Sequence, residues 1–371
     1  MELIAMAVIL AVVIMGQYLL YDKFGFKNVS YTISISVTEA YENDEIEIIE
    51  EIENAKRLPL VWMRSEISCS PYLTFKGQRT VKNEQNIQRG LIGGVFMLRG
   101  YKKCRRVWKV RCERRGIMTI ENSTLTISDL FGLTKKARMF KVSGSVRVLP
   151  APADMDMGEL SGDLFIGNMQ VRRFVMPDPF MISGSREYTG REPMNRIHWS
   201  QTARTGRLMA YKNEFTTERR IMIVLNMQRS EAYCRALPDN ALELQIKAAA
   251  FVLDQCQRMS AECALTINAS ETLMLPAGSG SSHTVNALRQ LAELENVCGE
   301  RISDLLTELD FNDITDVIII TPFVSEMIGT FLAGLISKGK CCKVLTAGLN
   351  EGTEYIPQSV ELLMIPRGNI S

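Results

Sequence analysis

Four arginines, two glutamates, a tyrosine, a tryptophan and one of the chain's two histidines fall within Ser185–Arg204, SREYTGREPMNRIHWSQTAR. Side chains of these types can build salt-bridged networks, stack a cation on a π-face or capture an anionic partner, and arginine's planar fork serves all three better than lysine. The candidate residues are Arg186, Glu187, Tyr188, Arg196, His198, Trp199 and Arg204. Two readings compete. In one the segment is a clamp that ties a connector to the domain after it; in the other it is a docking surface for a protein or anionic partner. A third reading, a hydrolase or transferase built on the Arg/Glu/His/Trp set, needs a base within reach of a serine or cysteine. His198, between Ile197 and Trp199, is better placed for a structural hydrogen bond, and His283 follows an expected flexible loop, AGSGSS at Ala277–Ser282, at an expected helix start.

Other chemistry is sparser. The nine cysteines are odd in number and scattered without a CxxC pair, so a structural zinc site is not expected and unpaired thiols in a reducing compartment are. Cys341-Cys342, between Lys340 and Lys343, could carry activated thiols but reads better as a partly buried strand entry. The stretch GLISKGKC from Gly334 approaches a phosphate-binding loop but ends a helix and leads into a strand, the reverse of the required context, so Gly339 is expected as a helix stop with Lys338 and Lys340 complementing the dipole. The basic run Lys102–Arg111 alternates charged and apolar residues like a half-solvated edge strand rather than a nucleic-acid surface. With 43 basic and 42 acidic residues the chain has no global field that would steer it to nucleic acid.

These residues sit in an expected three-part order. At 371 residues the chain exceeds one hydrophobic core. From Leu3 to Tyr21 no residue is charged, and the run would span about 28 Å as a helix at ~1.5 Å per residue. Glu2 before it and the bulky Tyr18, Tyr21 and Phe24 at its end differ from a cleaved signal peptide, so residues 1–24 are expected to remain as a transmembrane anchor. Lys23 and Lys27, together with the reduced thiols, put the soluble part in the cytoplasm and the protein in the cell membrane as a single-pass chain. Short strand-like runs separated by Gly, Asn, Pro and Asp fill 28–150 and point to an antiparallel Ig-like β-sandwich. A connector, 151–218, carries the arginine-aromatic segment. Beyond it strands such as Ile221–Leu225 and Asp316–Thr321 alternate with helical patterns, among them a capping-box-like start at Asn240 and Glu243, so 219–371 is expected to be a doubly wound α/β domain.

The segment Arg186-Glu187-Tyr188, Gly190, Arg196-Ile197-His198-Trp199, Ala203-Arg204, Leu208 resembles the signature of the bacterial domain of unknown function 58 family. Upstream, Arg114-Arg115-Gly116 and Ser128-Asp129-Leu130-Phe131-Gly132-Leu133 resemble that family's close of the β-sandwich, with Leu130 where proline is usual; Arg191 departs by standing where an acid usually follows the glycine. The resemblance implies that the α/β domain is von Willebrand factor A-like and that the partners are a MoxR-type AAA+ ATPase and other von Willebrand A-domain proteins. Such A domains often bind Mg²⁺ through Asp-x-Ser-x-Ser and a later aspartate. Here Asn226, Gln228 and Ser230 occupy the first motif and Pro322 falls where the later aspartate would be, so no metal or other cofactor is expected. The expected function is a membrane-anchored, non-enzymatic interaction or scaffold protein working with the ATPase in assembly or maturation of other proteins.

Overall fold

A computed structural model describes residues 2–76, 90–132, 135–152, 182–188, 194, 197–213, 219–232 and 237–365. The chain folds as two units. The first comprises Met1–Ala153 with Ile246–Phe251 and Ser282–Asn296, the second the remainder.

The first unit opens with helix α1, Glu2–Phe24, of which Ile4–Phe24 is long and apolar enough to cross a membrane. Nine strands follow: β1 Val29–Ile35, β2 Glu39–Tyr41, β3 Glu45–Asn54, β4 Leu60–Cys69, β5 Leu73–Phe75, β6 Gly90–Leu98, β7 Lys102–Cys112, β8 Gly116–Ser128 and β9 Lys135–Leu149. They form two sheets, β1-β3-β7-β5 and β2-β9-β8-β4-β6, antiparallel throughout except for the short β2–β9 pairing. Ile48 and Ile52 of β3, Val110 of β7, Met63 and Ile67 of β4 and Leu125 of β8 meet in one core between them, an immunoglobulin-like sandwich.

The basic run is not an edge strand. Strand β7 lies between β3 and β5, and its register sets Arg111 opposite Glu45, Lys109 opposite Glu47, Arg106 opposite Glu50, Arg105 opposite Glu51 and Lys103 opposite Glu53. Cross-strand opposite charge of this kind favours pairing. The acid supply of β3 explains the basic composition of β7 without a polyanion.

One of those acids points inward. The period of two in EIEIIEEIEN puts Ile46, Ile48, Glu50 and Ile52 on the buried face, and Glu50 is fully removed from water. Its Oε2 accepts from Arg106 Nε at 2.9 Å and Nη2 at 2.6 Å and from Trp108 Nε1 at 3.0 Å; Oε1 accepts from Tyr31 Oη at 3.0 Å. Arg106 Nη2 also donates to Ser65 Oγ at 2.5 Å, and Ser123 Oγ donates to Tyr31 Oη at 2.6 Å. The guanidinium carbon lies 3.9 Å from the Phe96 ring centre. Both sheets therefore contribute to a single polar staple.

Helix α4 (Ser281–Glu293, numbered by its place in the chain) has most of its length in the same unit. Arg115, which is buried, donates through Nη1 to the carbonyls of Leu291, Ala292 and Leu294 at 2.8, 3.1 and 3.1 Å, as a cation at a helix C-terminus should. Glu39 accepts from Arg289 Nε and Nη2 at 2.8 and 2.9 Å and from Arg147 Nη1 at 2.8 Å, and Arg147 Nε reaches Glu293 at 2.7 Å. The hydrogen bonds from Arg289 and then Arg147 hold the Glu39 carboxyl below its ordinary pKa.

The second unit is an α/β layer. Its six-stranded sheet has the order β14-β13-β12-β15-β16-β17, formed by β12 Arg220–Leu225, β13 Glu262–Ile267, β14 Leu273–Gly278, β15 Asp316–Phe323, β16 Cys341–Glu351 and β17 Glu361–Ile365. All pairings are parallel except β13–β14. Its helices are α3 (Asp239–Arg258), whose middle turns, Ile246–Phe251, belong to the first unit, α5 (Ile302–Glu308) and α6 (Glu326–Ser337). Strands β12 and β15 are buried on both faces, as their unbroken apolar runs require, and α5 and α6 pack Leu305, Leu306, Ile328 and Leu332 beside Val224 and Ile319.

Two local expectations are corrected. Helix α3 starts one residue before Asn240, after Pro238, and makes no side-chain cap bond, because proline's fixed φ of −56° already sets the entry. Strand β14 occupies part of the expected AGSGSS loop; Pro276 is tolerated because β14 is an edge strand.

Replacing Glu50 with alanine leaves the Arg106 guanidinium, 21% exposed, without its carboxylate. Urea unfolding should show a loss of about 3–5 kcal/mol. Glu39 gives a pH signature. A carboxylate with a depressed folded pKa contributes stability in full above the unfolded value of about 4.3 and loses it as pH falls through the folded one. Acid unfolding of Glu39→Gln should show a shallower fall in stability over that range than the parent.

Candidate functional site

The arginine-aromatic segment folds as a strand, a short helix and a strand. Strand β10, Ile182–Glu187, runs antiparallel to β11, Met209–Asn213, with Arg186 opposite Ala210 and Glu187 opposite Met209. Between them α2 spans Trp199–Thr205 and stops at Gly206, whose φ of +67° is the left-handed cap that glycine adopts without strain. His198 is the N-cap. Its Nδ1 accepts from Gln201 N–H at 3.4 Å, its own N–H donates to Met209 O at 2.7 Å, and its ring lies 4.3 Å from that of Tyr211. Thr202 Oγ1 accepts from Met209 N–H at 3.0 Å, and Ile197, 2% exposed, bridges to Ala210. The helix is thus pinned to the Met209 backbone of β11 by the His198 N–H at its start and the Thr202 side chain at its middle.

No residue of α2 is buried, and Trp199 is 61% exposed. Met194 and Leu208 are exposed as well. Glu187 pairs with Arg207, a residue the sequence did not single out, at 2.9 Å with both side chains largely in solvent. Such an exposed pair contributes little to stability. The structure therefore brings His198 and Thr202 against β11, with the His198 ring beside Tyr211, and leaves Trp199 and Arg204 exposed on the helix. Tyr188 continues β10 through its N–H to Leu208 O at 2.9 Å. Arg196, Gly190, Arg191 and Glu192 lie outside the described residues, as does the side chain of Arg186.

Ser200 Oγ is 3.3 Å from His198 Nδ1, the one nucleophile–base contact near the segment among the described residues. That nitrogen already accepts the Gln201 N–H. Its geometry is that of a cap.

The second candidate position lies at the C-terminal ends of β12, β13 and β15. In the order β14-β13-β12-β15, chain connections diverge on either side of β12, so its end is a topological switch point where α/β sheets bind ligands. Asn226 fills it, fully buried: its Nδ2 donates to Thr321 Oγ1 at 2.9 Å, and its Oδ1 accepts from Asn268 Nδ2 at 2.9 Å and Gln228 N–H at 3.0 Å. Asn268 Oδ1 accepts from Met227 N–H at 2.6 Å; Gln228 accepts Ile302 N–H at 3.0 Å and donates to Ser230 O at 2.7 Å. Thr321 Oγ1 in turn donates to Phe323 O at 2.7 Å, across Pro322. A magnesium ion wants several oxygens, at least one of them anionic. Here each amide oxygen is already bonded to an N–H, Ser230 contributes its carbonyl to Gln228, and no carboxylate joins among the described residues. Asn268, missed from the sequence, completes the set; its signal was a polar residue directly after the buried strand ECALTI.

Elsewhere, Lys340 Nζ donates to the carbonyls of Phe311, Asn312 and Ile314 at 2.6, 2.8 and 2.5 Å rather than complementing the preceding helix, while Gly339, with φ of +75°, does stop it. Burial pushes the Cys342 thiol up to about 12 and raises that of Cys341, the opposite of activation. Among the described residues seven cysteines are free, but Cys298 is disulfide-bonded, so the expectation of unpaired thiols fails there.

Asn226→Asp puts a carboxylate where Thr321 needs a donor. The buried acid would bind its proton more tightly folded than unfolded, so its stability deficit grows as pH rises through the carboxylate range. Thermal melts should show a variant several degrees less stable at pH 7 than the parent, a smaller gap near pH 4, and no recovery with magnesium.

No curated protein sequence matches the chain. Among solved structures, a non-cellulosomal cohesin from the hyperthermophilic archaeon Archaeoglobus fulgidus is 17% identical, with 32% of this chain and 91% of that one covered and a TM-score of 0.21. The CARDB domain of the PF1109 protein from Pyrococcus furiosus, in complex with di-metal ions, is 11% identical over 33% of this chain and 91% of its own, with a TM-score of 0.22. A Salmonella alpha-2-macroglobulin mutant is 15% identical over 33% of this chain and 7% of its own, with a TM-score of 0.23. Residues 184–317, which take in most of the hairpin, Asn226, Gln228 and Asn268 of the switch point, and β12 through the start of β15, match the model of the family described as protein of unknown function DUF58.

Proposed function

We propose that the protein is a membrane-anchored, non-enzymatic interaction or scaffold protein of the domain of unknown function 58 family, whose α/β unit is von Willebrand factor A-like. The single observation that carries the docking role is the exposure of Trp199 on a helix with no buried residue that is nonetheless pinned by His198 and Thr202. A large aromatic presented on a fixed support costs little ordering entropy on binding, and tryptophan and arginine are the side chains most often found at the energetic centre of interfaces. The strand order with one antiparallel edge supports the A-domain reading, and the neutral network at Asn226 supports recognition by shape and pairing rather than through a shared metal. The resemblance supplies the partner class, a MoxR-type AAA+ ATPase, with assembly or maturation of other proteins as the task.

Crosslinking pull-down of the full-length protein from native membranes tests this, with Trp199→Ala/Arg204→Ala beside the parent. Because both side chains are exposed, the variant should melt within about 2 °C of the parent. The parent should recover an AAA+ ATPase that the variant loses. Recovery unchanged by the substitutions would move docking away from α2, and absence of any ATPase from the parent sample would overturn the partner.

A further inference from the structure

The described end of α1 is seated on the sandwich within one unit. Tyr21 Oη donates to Pro59 O at 3.0 Å, Lys136 Nζ pairs with Asp22 at 2.6 Å, and Lys56 Nζ donates to Gly25 O. Gly25 has no room for a side chain: a Cβ there would lie 2.6 Å from Ile127 Cδ1. Higher up the helix, Gln17 Nε2 donates to Asp129 Oδ2 at 3.3 Å, and Asp129 is fully buried. Gln17 interrupts an otherwise apolar stretch, and this bond gives it a protein partner there.

Those bonds fix a depth. Gln17 lies five residues before Asp22, the first charge after the apolar run, which at ~1.5 Å per residue is about 7–8 Å along the helix toward the membrane interior. The turn Asp129–Gly132, closed by Gly132 N–H to Asp129 O at 3.2 Å with Gly132 at φ +74°, is held at that level. Its two central residues, Leu130 and Phe131, are each 56% exposed, and Trp62, opposite Ser128 at the same strand end, is 52% exposed. Cationic residues lie at this end of the unit: Lys135, Lys136 and Arg138 stand opposite Ser128, Ile127 and Leu125 of β8, and Lys23 and Lys27 follow Asp22 in the chain. Apolar and aromatic groups some 5–10 Å deep with lysine and arginine above them are what the bilayer interface selects.

We propose that Leu130 and Phe131, with Trp62 beside them, form a second membrane contact that dips into the lipid headgroup and acyl boundary next to α1 and fixes the sandwich against the bilayer. The occupant is lipid, because the turn is bonded to the flank of the helix that would cross the membrane and the adjoining charges suit anionic headgroups. It rests on the reading of α1 as a membrane span. Its consequence is orientation: a single helix leaves a soluble domain free to tilt, whereas helix plus turn present one fixed face to a partner.

Photocrosslinking of the full-length protein in vesicles of phosphatidylethanolamine and phosphatidylglycerol tests it, with benzoylphenylalanine in place of Phe131, of Ile9 in the helix, or of Ile117, which is exposed at the opposite end of β8. Lipid adducts read by mass spectrometry should be about tenfold more abundant at position 131 than at 117, and comparable at 131 and 9. Adducts at 9 but none above the 117 level at 131, in a protein whose melting matches the parent, would overturn the second contact alone. Absence of adducts at 9 would overturn the membrane span and the turn contact with it.

Discussion

A carboxylate taken wholly out of water must be given donors, and Glu50 sets that requirement at the centre of the sandwich. Arg106, Trp108 and Tyr31 meet it from one sheet, while Ser65, Ser123 and the Phe96 ring reach across from the other. Apolar packing between sheets tolerates some sliding, because hydrophobic attraction has no direction. A hydrogen-bonded guanidinium does not. The staple fixes the register of the two sheets, and with it the strand ends on which the turn Asp129–Gly132 and the buried Arg115 sit.

The same rule explains how the other buried cations are placed. Arg115 and Lys340 each donate to three backbone carbonyls, and Lys343 pairs with Glu361 at 2.5 Å. At the switch point the solution differs. Charge is removed altogether, and Asn226, Asn268, Gln228 and Thr321 satisfy one another and the chain around them. A set of amides bonded in a closed pattern is stiff, and each of its amide oxygens already accepts an N–H.

Legibility in the sequence followed how much of each element's environment was local. The apolar runs of β12 and β15 could be read because strands buried on both faces need no partner to declare themselves. The hairpin of β10 and β11 could not: ISGSRE and MAYKN carry glycine and charge, and only their pairing makes them strands. Asn226 was singled out through the family resemblance, but Asn268, its partner, becomes visible only when β12 and β13 are laid side by side. Glu50 had a signal, the period of two in β3, yet its counterion lies 56 residues on and is fixed by register. The basic run of β7 was misplaced for the same reason, since its acids stand on another strand.

The charge density of Ser185–Arg204 admitted both a clamp, the reading favoured on composition, and a docking surface. Burial weighs them differently. A clamp gains stability where ion pairs and stacked rings leave water, and here the described pair, Glu187 with Arg207, stays in solvent while no ring among the described residues stacks on Trp199. What is ordered is the support: the His198 cap, the Thr202 bond and the buried Ile197 hold α2 without using its exposed face. Fixing a helix whose side chains bury nothing costs conformational entropy that the free protein does not recover through that face. Under the proposed docking role that cost would be offset on binding, when the apolar area of Trp199 leaves water in a geometry already set.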